Sequence, residues 1–312
     1  MVTVKKRSIT LTYNADANDD GTGAQIQRIL GIYSVSRKYG FNYLHTPVKN
    51  LLVFPLDSSQ DPHEVEKYLK RMNDYFKLPT DDSFQFDKII SISTISVGYL
   101  RRLNTQMHFG KPKKILVRVS NPSLIVDTNP DILRFAVSDL NQPSAMKLMA
   151  KVSIVLHIRG TVQEDLVIKG EVEPRSLPVS YYKDKLRGIL ALIDADLNYE
   201  IKVFTDIPKK SLSFEPRPQD IETWNKSGHS IVDGKIQVDG LDLEKDFQEF
   251  GSDIEFIYGG DPLDAIIQMS HADYFVMSRS SFSYLAAILN RNGMVYYPPK
   301  FWHPPLANWI LG

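Results

Sequence analysis

The sequence predicts an α/β protein made of two successive runs of alternating strands and helices, and three stretches carry that prediction. In the first, Tyr274, Phe275, Val276 and Met277 form an apolar run of strand length. It passes through Ser278-Arg279-Ser280-Ser281 into a helical apolar pattern over 282–289. In the second, Ser153-Ile154-Val155-Leu156 leads into His157-Ile158-Arg159-Gly160. A strand there ends by delivering a His and an Arg on one side, because side chains two apart share a face. In the third, the alternation over 9–13 is followed by Gly21, Gly23 and a helical pattern at Ile26, Ile29, Leu30, Tyr33 and Val35, which Gly40 stops.

The first run continues with a short strand over 41–45, a mixed pair at 51–56 and 63–76 whose second member is an amphipathic helix, and strands over 87–95 and 114–119. The stretch 122–143 reads as irregular, with a short helix over 130–137. The second run has strands over 152–158, 200–205, 254–258, 274–277 and 294–297, and helices over 181–193, 262–269 and 282–289. Strands alternating with helices mean parallel sheets with right-handed crossovers. The boundary falls near 144–150, giving Rossmann-like domains over 1–150 and 151–312 that face each other across a cleft. The stretch 208–241, rich in Pro, Gly and charge, reads as an insertion or mobile loop.

Composition narrows the functional classes. Lys plus Arg balance Asp plus Glu at 37 each, so the chain is not built mainly to hold nucleic acid. Cysteine is absent, which removes disulfides and thiolate metal sites and favours a reducing, cytoplasmic setting. No apolar run approaches the roughly 18–20 residues of a membrane span. Lys5, Lys6 and Arg7 have no apolar stretch behind them, so the start does not read as a signal peptide.

Two acidic stretches imitate metal sites. Asp16 to Gly21 begins like a calcium loop, but its twelfth place is Gln27 instead of a bidentate Glu. Asp194-Ala195-Asp196 matches an Asp-x-Asp pattern in a turn before a strand, where acidic residues are common. The predicted metal set is therefore empty. The anion chemistry is better supplied by a helix beginning at Ser280, Ser281 and Phe282, where free N–H groups and the helix dipole coincide. By position alone, Ser280 or Ser281 reads as an ordinary N-cap. Arg159, at a strand end, offers a planar fork suited to a diphosphate.

Three segments resemble the fucosyltransferase superfamily that carries a His-x-Arg motif, especially its α-1,2-fucosyltransferases. They are Gly21-Thr22-Gly23-Ala24-Gln25; His157-Ile158-Arg159-Gly160 with Leu177-Pro178-Val179; and Met269-Ser270 through Ser280-Ser281-Phe282-Ser283 to Pro299-Lys300-Phe301-Trp302. The chain departs from the family at Gly160, where a second Arg is common, at Val162, near which the family is acidic, at Ala24, where Asn is usual, and at Tyr284-Leu285, where Trp-Trp is usual.

The resemblance implies the two-domain arrangement called GT-B, with an acceptor-side domain first and a nucleotide-sugar domain second. It implies an inverting, metal-independent transfer from GDP-fucose, a substrate and not a cofactor, to a glycan hydroxyl. Donor contacts would come from Gly21, Gly23, His157, Arg159, Asp264, Ser280, Ser281 and Phe282, with Asp264 meeting the base. Asp206 resembles the acidic residue that the superfamily carries at this strand end. Glu164 and Asp165, with Glu171 and Glu173 behind them, are candidates for a base. Another nucleotide sugar, such as UDP-xylose or GDP-rhamnose, stays open, as does a non-catalytic glycan-binding role.

Overall fold

The structure is a computed structural model that describes residues 8–17, 21–50, 62–79, 85–108, 114–121, 130, 133, 136–137, 151–160, 165–168, 171–174, 176–194, 196–215 and 230–312. The chain divides into two compact units, between 141 and 142. Each has a parallel sheet with helices between its strands, which is the α/β class predicted.

In the first unit the strands are β1 (Ser8–Tyr13), β2 (Asn42–Tyr43), β3 (Lys88–Thr94) and β4 (Lys114–Asn121), and the helices α1 (Thr22–Tyr39), α2 (Pro62–Asp74) and α3 (Val97–His108). The strand order is β2-β1-β4-β3, with every pairing parallel. In β1, residues 9–13 are buried, so both its faces are covered, as parallel sheets require. Helix α1 stops where Gly40 turns left-handed at φ 74° and donates its N–H to the Ser36 carbonyl. Gln25 is fully buried inside α1. It accepts from the Tyr13 hydroxyl at 3.0 Å and donates to the Asn50 carbonyl at 2.6 Å, which ties the loop beyond β2 to the end of β1.

The second unit contains β5 (Val152–Ile158), β6 (Asp165–Ile168), β7 (Glu171–Pro174), α4 (Val179–Leu190), β8 (Tyr199–Thr205), β9 (Leu212–Phe214), β10 (Ser230–Val232), β11 (Lys235–Val238), α5 (Leu243–Asp246), β12 (Ile254–Tyr258), α6 (Pro262–Ser270), β13 (Tyr274–Val276), α7 (Ser281–Leu289), β14 (Met294–Tyr297) and β15 (Ile310–Leu311). Its main sheet has the order β12-β8-β5-β13-β14-β15, parallel throughout. The chain steps outward through β5, β8 and β12, then returns to the other side of β5 for β13, β14 and β15. The reversal lies between β5 and β13. In such sheets ligands bind at that point, outside the carboxyl ends of the strands.

Alternation along β5 decides what the reversal point receives. Ile154, Leu156 and Ile158 face a core shared with Tyr182, Leu186 and Ile189 of α4. The α4 residues recur at helical spacing, so one stripe is apolar and fully buried. Truncating Leu186 to Ala there costs about 2–5 kcal/mol. The opposite face of β5 carries Val155 and His157, and Arg159 continues it.

Several elements differ from the sequence expectation. The 208–241 stretch is not simply a loop: β9, β10 and β11 form an antiparallel sheet of order β10-β11-β9. Ile236 and Val238 are buried, and Asp233 and Gly234 at φ 51° and 76° make the tight hairpin turn. Helix α3, the antiparallel β6–β7 pair, the one-turn α5 and the edge strand β15 differ from that expectation too. Ser96 Oγ accepts the Tyr99 N–H at 3.3 Å at the start of α3. The reading of 51–56 and half of 130–137 fall outside the described residues.

Candidate functional site

The carboxyl ends of β5 and β13 bring together two chain segments 121 residues apart. Arg159 Nη1 donates to Ser280 Oγ at 2.8 Å. Ser280 is also the N-cap of α7, and its Oγ accepts the Phe282 N–H at 3.2 Å. The capping reading and the ligand-site reading thus meet in one hydroxyl. Ser280 is fully buried, whereas the Arg159 side chain keeps 21% of its surface exposed. The guanidinium therefore reaches solvent from a fixed base.

Asp206 follows β8, the neighbour of β5 on the other side. Its Oδ1 accepts the Gly160 N–H at 3.0 Å. Its Oδ2 lies 3.9 Å from Arg159 Nε, close enough for ionic attraction but too far for a hydrogen bond. Arg159 Nε is buried without a hydrogen-bond acceptor. A buried charged donor left unmet is costly, and in a native protein such a group calls for a ligand or another explanation. Gly160 packs so closely that a Cβ there would come within 2.4 Å of Ile207 Cδ1. A side chain at 160 would therefore require the end of the Ile207 side chain to shift.

His157 turns inward. Its Nδ1 lies 2.5 Å from Ser283 Oγ and 2.8 Å from Ser278 Oγ, and its ring centroid is 5.3 Å from that of Phe282. The two serine hydroxyls are 3.0 Å apart, and Ser283 Oγ also accepts the Ser278 N–H at 3.2 Å. Burial is the main reason its pKa falls to about 4, opposed by the Asp206 carboxylate and reinforced by Arg159. The ring is therefore neutral near pH 7 and fastens β5 to the turn before α7. Ser278 and Ser283 were not singled out from the sequence as partners of His157. Their signal is the recurrence of Ser around the capping pair, on the face that α7 turns to β5.

The remaining candidates fall in several places. Ser281 opens α7, and its Oγ lies 3.3 Å from His303 Nε2. Phe282 is half-buried. Asp264 is exposed in the first turn of α6, a helix that packs on α7. The cap of α6 is Asp261, which accepts the N–H groups of Leu263 at 2.8 Å and Asp264 at 3.2 Å. Gly21 is the N-cap of α1 and Gly23 lies in its first turn, both in the first unit. Asp165 begins β6, where its backbone pairs with Pro174. Glu164 lies outside the described residues. A cavity of about 360 Å³ opens at the ends of β8 and β12, lined in part by Asp206, Ile207, Lys209, Tyr258 and Gly259. Asp206 thus belongs both to this cavity and to the surroundings of Arg159.

The two metal imitations resolve differently. Asp16 pairs with Lys49 at 2.6 Å and lies 3.7 Å from Arg118. Its hydrogen bond and charge attraction to Lys49 lower its pKa. Asp194 and Asp196 precede β8, at the edge of the sheet opposite Arg159. Among the described residues no group of three or more His, Cys, Asp or Glu side chains is placed to hold a metal ion. Among the same residues no helix is long and apolar enough to cross a membrane.

No protein-family model matches the sequence, and no curated protein matches it. Solved structures do show similarity. NodZ α-1,6-fucosyltransferase soaked with GDP-fucose is similar over 91% of this chain and 93% of its own, at 10% identity and a TM-score of 0.45. The E. coli heptosyltransferase WaaC with ADP-2-deoxy-2-fluoro heptose is similar over 98% of this chain and 92% of its own, at 11% identity and a TM-score of 0.37. The E. coli ADP-heptose LPS heptosyltransferase II is similar over 98% of this chain and 90% of its own, again at 11% identity and a TM-score of 0.37.

Proposed function

We propose that this chain is a nucleotide-sugar-dependent glycosyltransferase whose second unit holds the donor diphosphate at the β5–β13 reversal. One observation carries the reading: Arg159, anchored through Nη1 on Ser280, which caps α7, keeps part of its guanidinium exposed beside the carboxyl edge of the sheet. Phosphate oxygens can accept from its exposed N–H groups. The first turn of α7 adds backbone N–H groups and the positive end of a helix dipole. The motif resemblance adds GDP-fucose as the donor and a glycan hydroxyl as the acceptor.

The difficult step is departure of the diphosphate from the anomeric carbon. The C1–O bond breaks, and its electron pair goes to a β-phosphate oxygen. Arg159 and the α7 start face the charge that grows there. A fixed donor of this kind is typically worth about 3–4 kcal/mol of barrier. The acceptor oxygen then bonds to C1 from the opposite face, and its proton passes to a base or to water, which inverts the centre. Asp206 holds the backbone of Gly160 and faces Arg159, so its part is to position the guanidinium. No metal is needed in this scheme, because fixed cationic and dipolar groups meet the leaving charge.

The test is a thermal-shift and titration series with GDP, UDP, TDP, CMP and ADP, followed by turnover of the nucleotide sugar that binds. GDP should stabilise the protein, by about 2.7 kcal/mol at a hundredfold excess over its dissociation constant, and GDP-fucose should be turned over. A shift with UDP or ADP alone keeps the transferase and overturns the fucose assignment. No shift with any nucleotide overturns the transferase reading and favours a non-catalytic glycan-binding protein.

A further inference from the structure

Ser281, the first residue of α7, meets a side chain from the segment after β14. His303 Nε2 lies 3.3 Å from Ser281 Oγ. The imidazole stacks on the Tyr284 ring, with centroids 4.4 Å apart and planes at 17°. It meets Phe301 at 5.2 Å and Trp302 at 5.5 Å. The His303 carbonyl accepts the Tyr297 hydroxyl, and the next carbonyl, Pro304, accepts the Tyr284 hydroxyl at 2.9 Å. The ring is therefore clamped from α7 and from β14. A phenylalanine would stack as well on Tyr284; what histidine adds is a ring nitrogen presented to the first turn of α7. Ser280, which anchors Arg159, is the next residue back along the chain.

We propose that His303 is a further ligand of the leaving diphosphate, and that it takes a proton from solvent when a nucleoside diphosphate settles on Arg159 and the start of α7. The inference rests on the nucleotide-sugar reading above. With the seat empty, burial lowers the His303 pKa to about 4, so the ring is neutral. A phosphate oxyanion beside it favours the charged form. The ionisable groups packed around the ring are Tyr284 and Tyr297, whose hydroxyls burial pushes up and keeps protonated. The nearest cations along the chain are Arg279, whose Nε donates to the Pro299 carbonyl at 2.8 Å, and the exposed Lys300. Neither tyrosine gains a proton near neutral pH. His157, whose ring lies 5.3 Å from that of Phe282, is the competing proton acceptor. During transfer the imidazolium N–H bonds to the β-phosphate oxygen that receives the C1–O electron pair. The proton stays on the ring and returns to solvent when the diphosphate leaves.

The experiment is calorimetric titration of the full chain with GDP at pH 6.5, in buffers of differing ionisation enthalpy, so that protons taken up are counted. UDP and ADP replace GDP if GDP does not bind. The terminal phosphate of GDP titrates at about pH 6 and itself releases protons on binding, so the quantity read is the difference between proteins. The unmutated protein should take up more protons per GDP bound than the His303→Phe variant, which keeps the stack on Tyr284 and should bind at least tenfold more weakly. If that variant fails to fold, His303→Gln serves in its place. Equal proton counts for the unmutated protein and a folded variant overturn the role of His303 while leaving the nucleotide reading intact. Absence of binding by all three nucleotides overturns both.

Discussion

Arg159 and Ser280 are joined at 2.8 Å across the reversal point of the second sheet. The bond makes a helix cap and a cationic clamp depend on the same hydroxyl. Arg159→Ala should lower turnover at least a hundredfold, and Arg159→Lys at least tenfold, on the order of 2.7 and 1.4 kcal/mol of barrier. Lysine keeps the charge but loses the fork. Circular dichroism should be unchanged in both, since the side chain fills no apolar core. A folded Arg159→Ala protein with near-normal turnover would falsify the diphosphate assignment.

Asp264 should bear on the choice of base. It is exposed at the start of α6, and a carboxylate can accept two hydrogen bonds from the guanine edge. Asp264→Ala should raise the GDP dissociation constant about tenfold with the fold intact, because Asp261 and not Asp264 caps the helix. An unmutated protein that prefers UDP shows that the base contact lies elsewhere.

Turnover should survive EDTA. The proposed chemistry draws its positive charge from Arg159 and the α7 dipole. If chelation abolishes activity and manganese restores it, the metal-free scheme is wrong.

A side chain at Gly160 should cost stability. A Cβ would meet Ile207 at 2.4 Å, and overpacking of this sort costs about 1–3 kcal/mol. Gly160→Ala should therefore lower the denaturation midpoint, and adding Ile207→Ala should recover part of the loss. Equal midpoints for Gly160→Ala and the unmutated protein would show that the backbone yields freely there.

Acid should weaken the first unit through His45. Both ring nitrogens are buried without hydrogen-bond partners, and burial lowers its pKa from 6.5 to about 4. Between those two values the unfolded chain binds a proton that the folded one refuses. Stability from this group is full above pH 6.5 and is lost as pH falls toward 4, by on the order of 3 kcal/mol at most. His45→Phe keeps an aromatic ring against Phe76 and should flatten that part of the pH dependence of unfolding. An unchanged slope would mean that the ring is wetter than its burial indicates.

Strands were the most legible part of the sequence. β5, β12 and β14 have the bounds that the sequence predicts; β5 and β14 are largely buried, as strands inside a parallel sheet are, whereas β12 lies at the sheet edge with Glu255 exposed. Helix α3 was missed because Arg101, Arg102, Asn104 and Gln106 dilute its apolar stripe. The β9–β11 sheet was missed because Pro and Gly dominate local propensity, while the pairing that holds it joins residues distant in sequence. At the candidate site, His157, Arg159 and Ser280 were legible as residue types at strand and helix ends. Their partners were not. The bonds of His157 to Ser278 and Ser283, and of Ser281 to His303, are tertiary facts that no local pattern encodes.

The strand order has a consequence for the growing polypeptide. β5 and β8 can pair as soon as they are made, but β13 enters the sheet on the other flank of β5 only after β12 and α6 have been synthesised. Until then that flank of β5 has no partner strand, and His157 and Arg159 have no serines to hold. The proposed donor site is thus complete only in the finished second sheet, and a chain interrupted before α7 carries Arg159 without Ser280. Pairings between segments so far apart form slowly, so an incomplete chain exposes an apolar strand edge during synthesis.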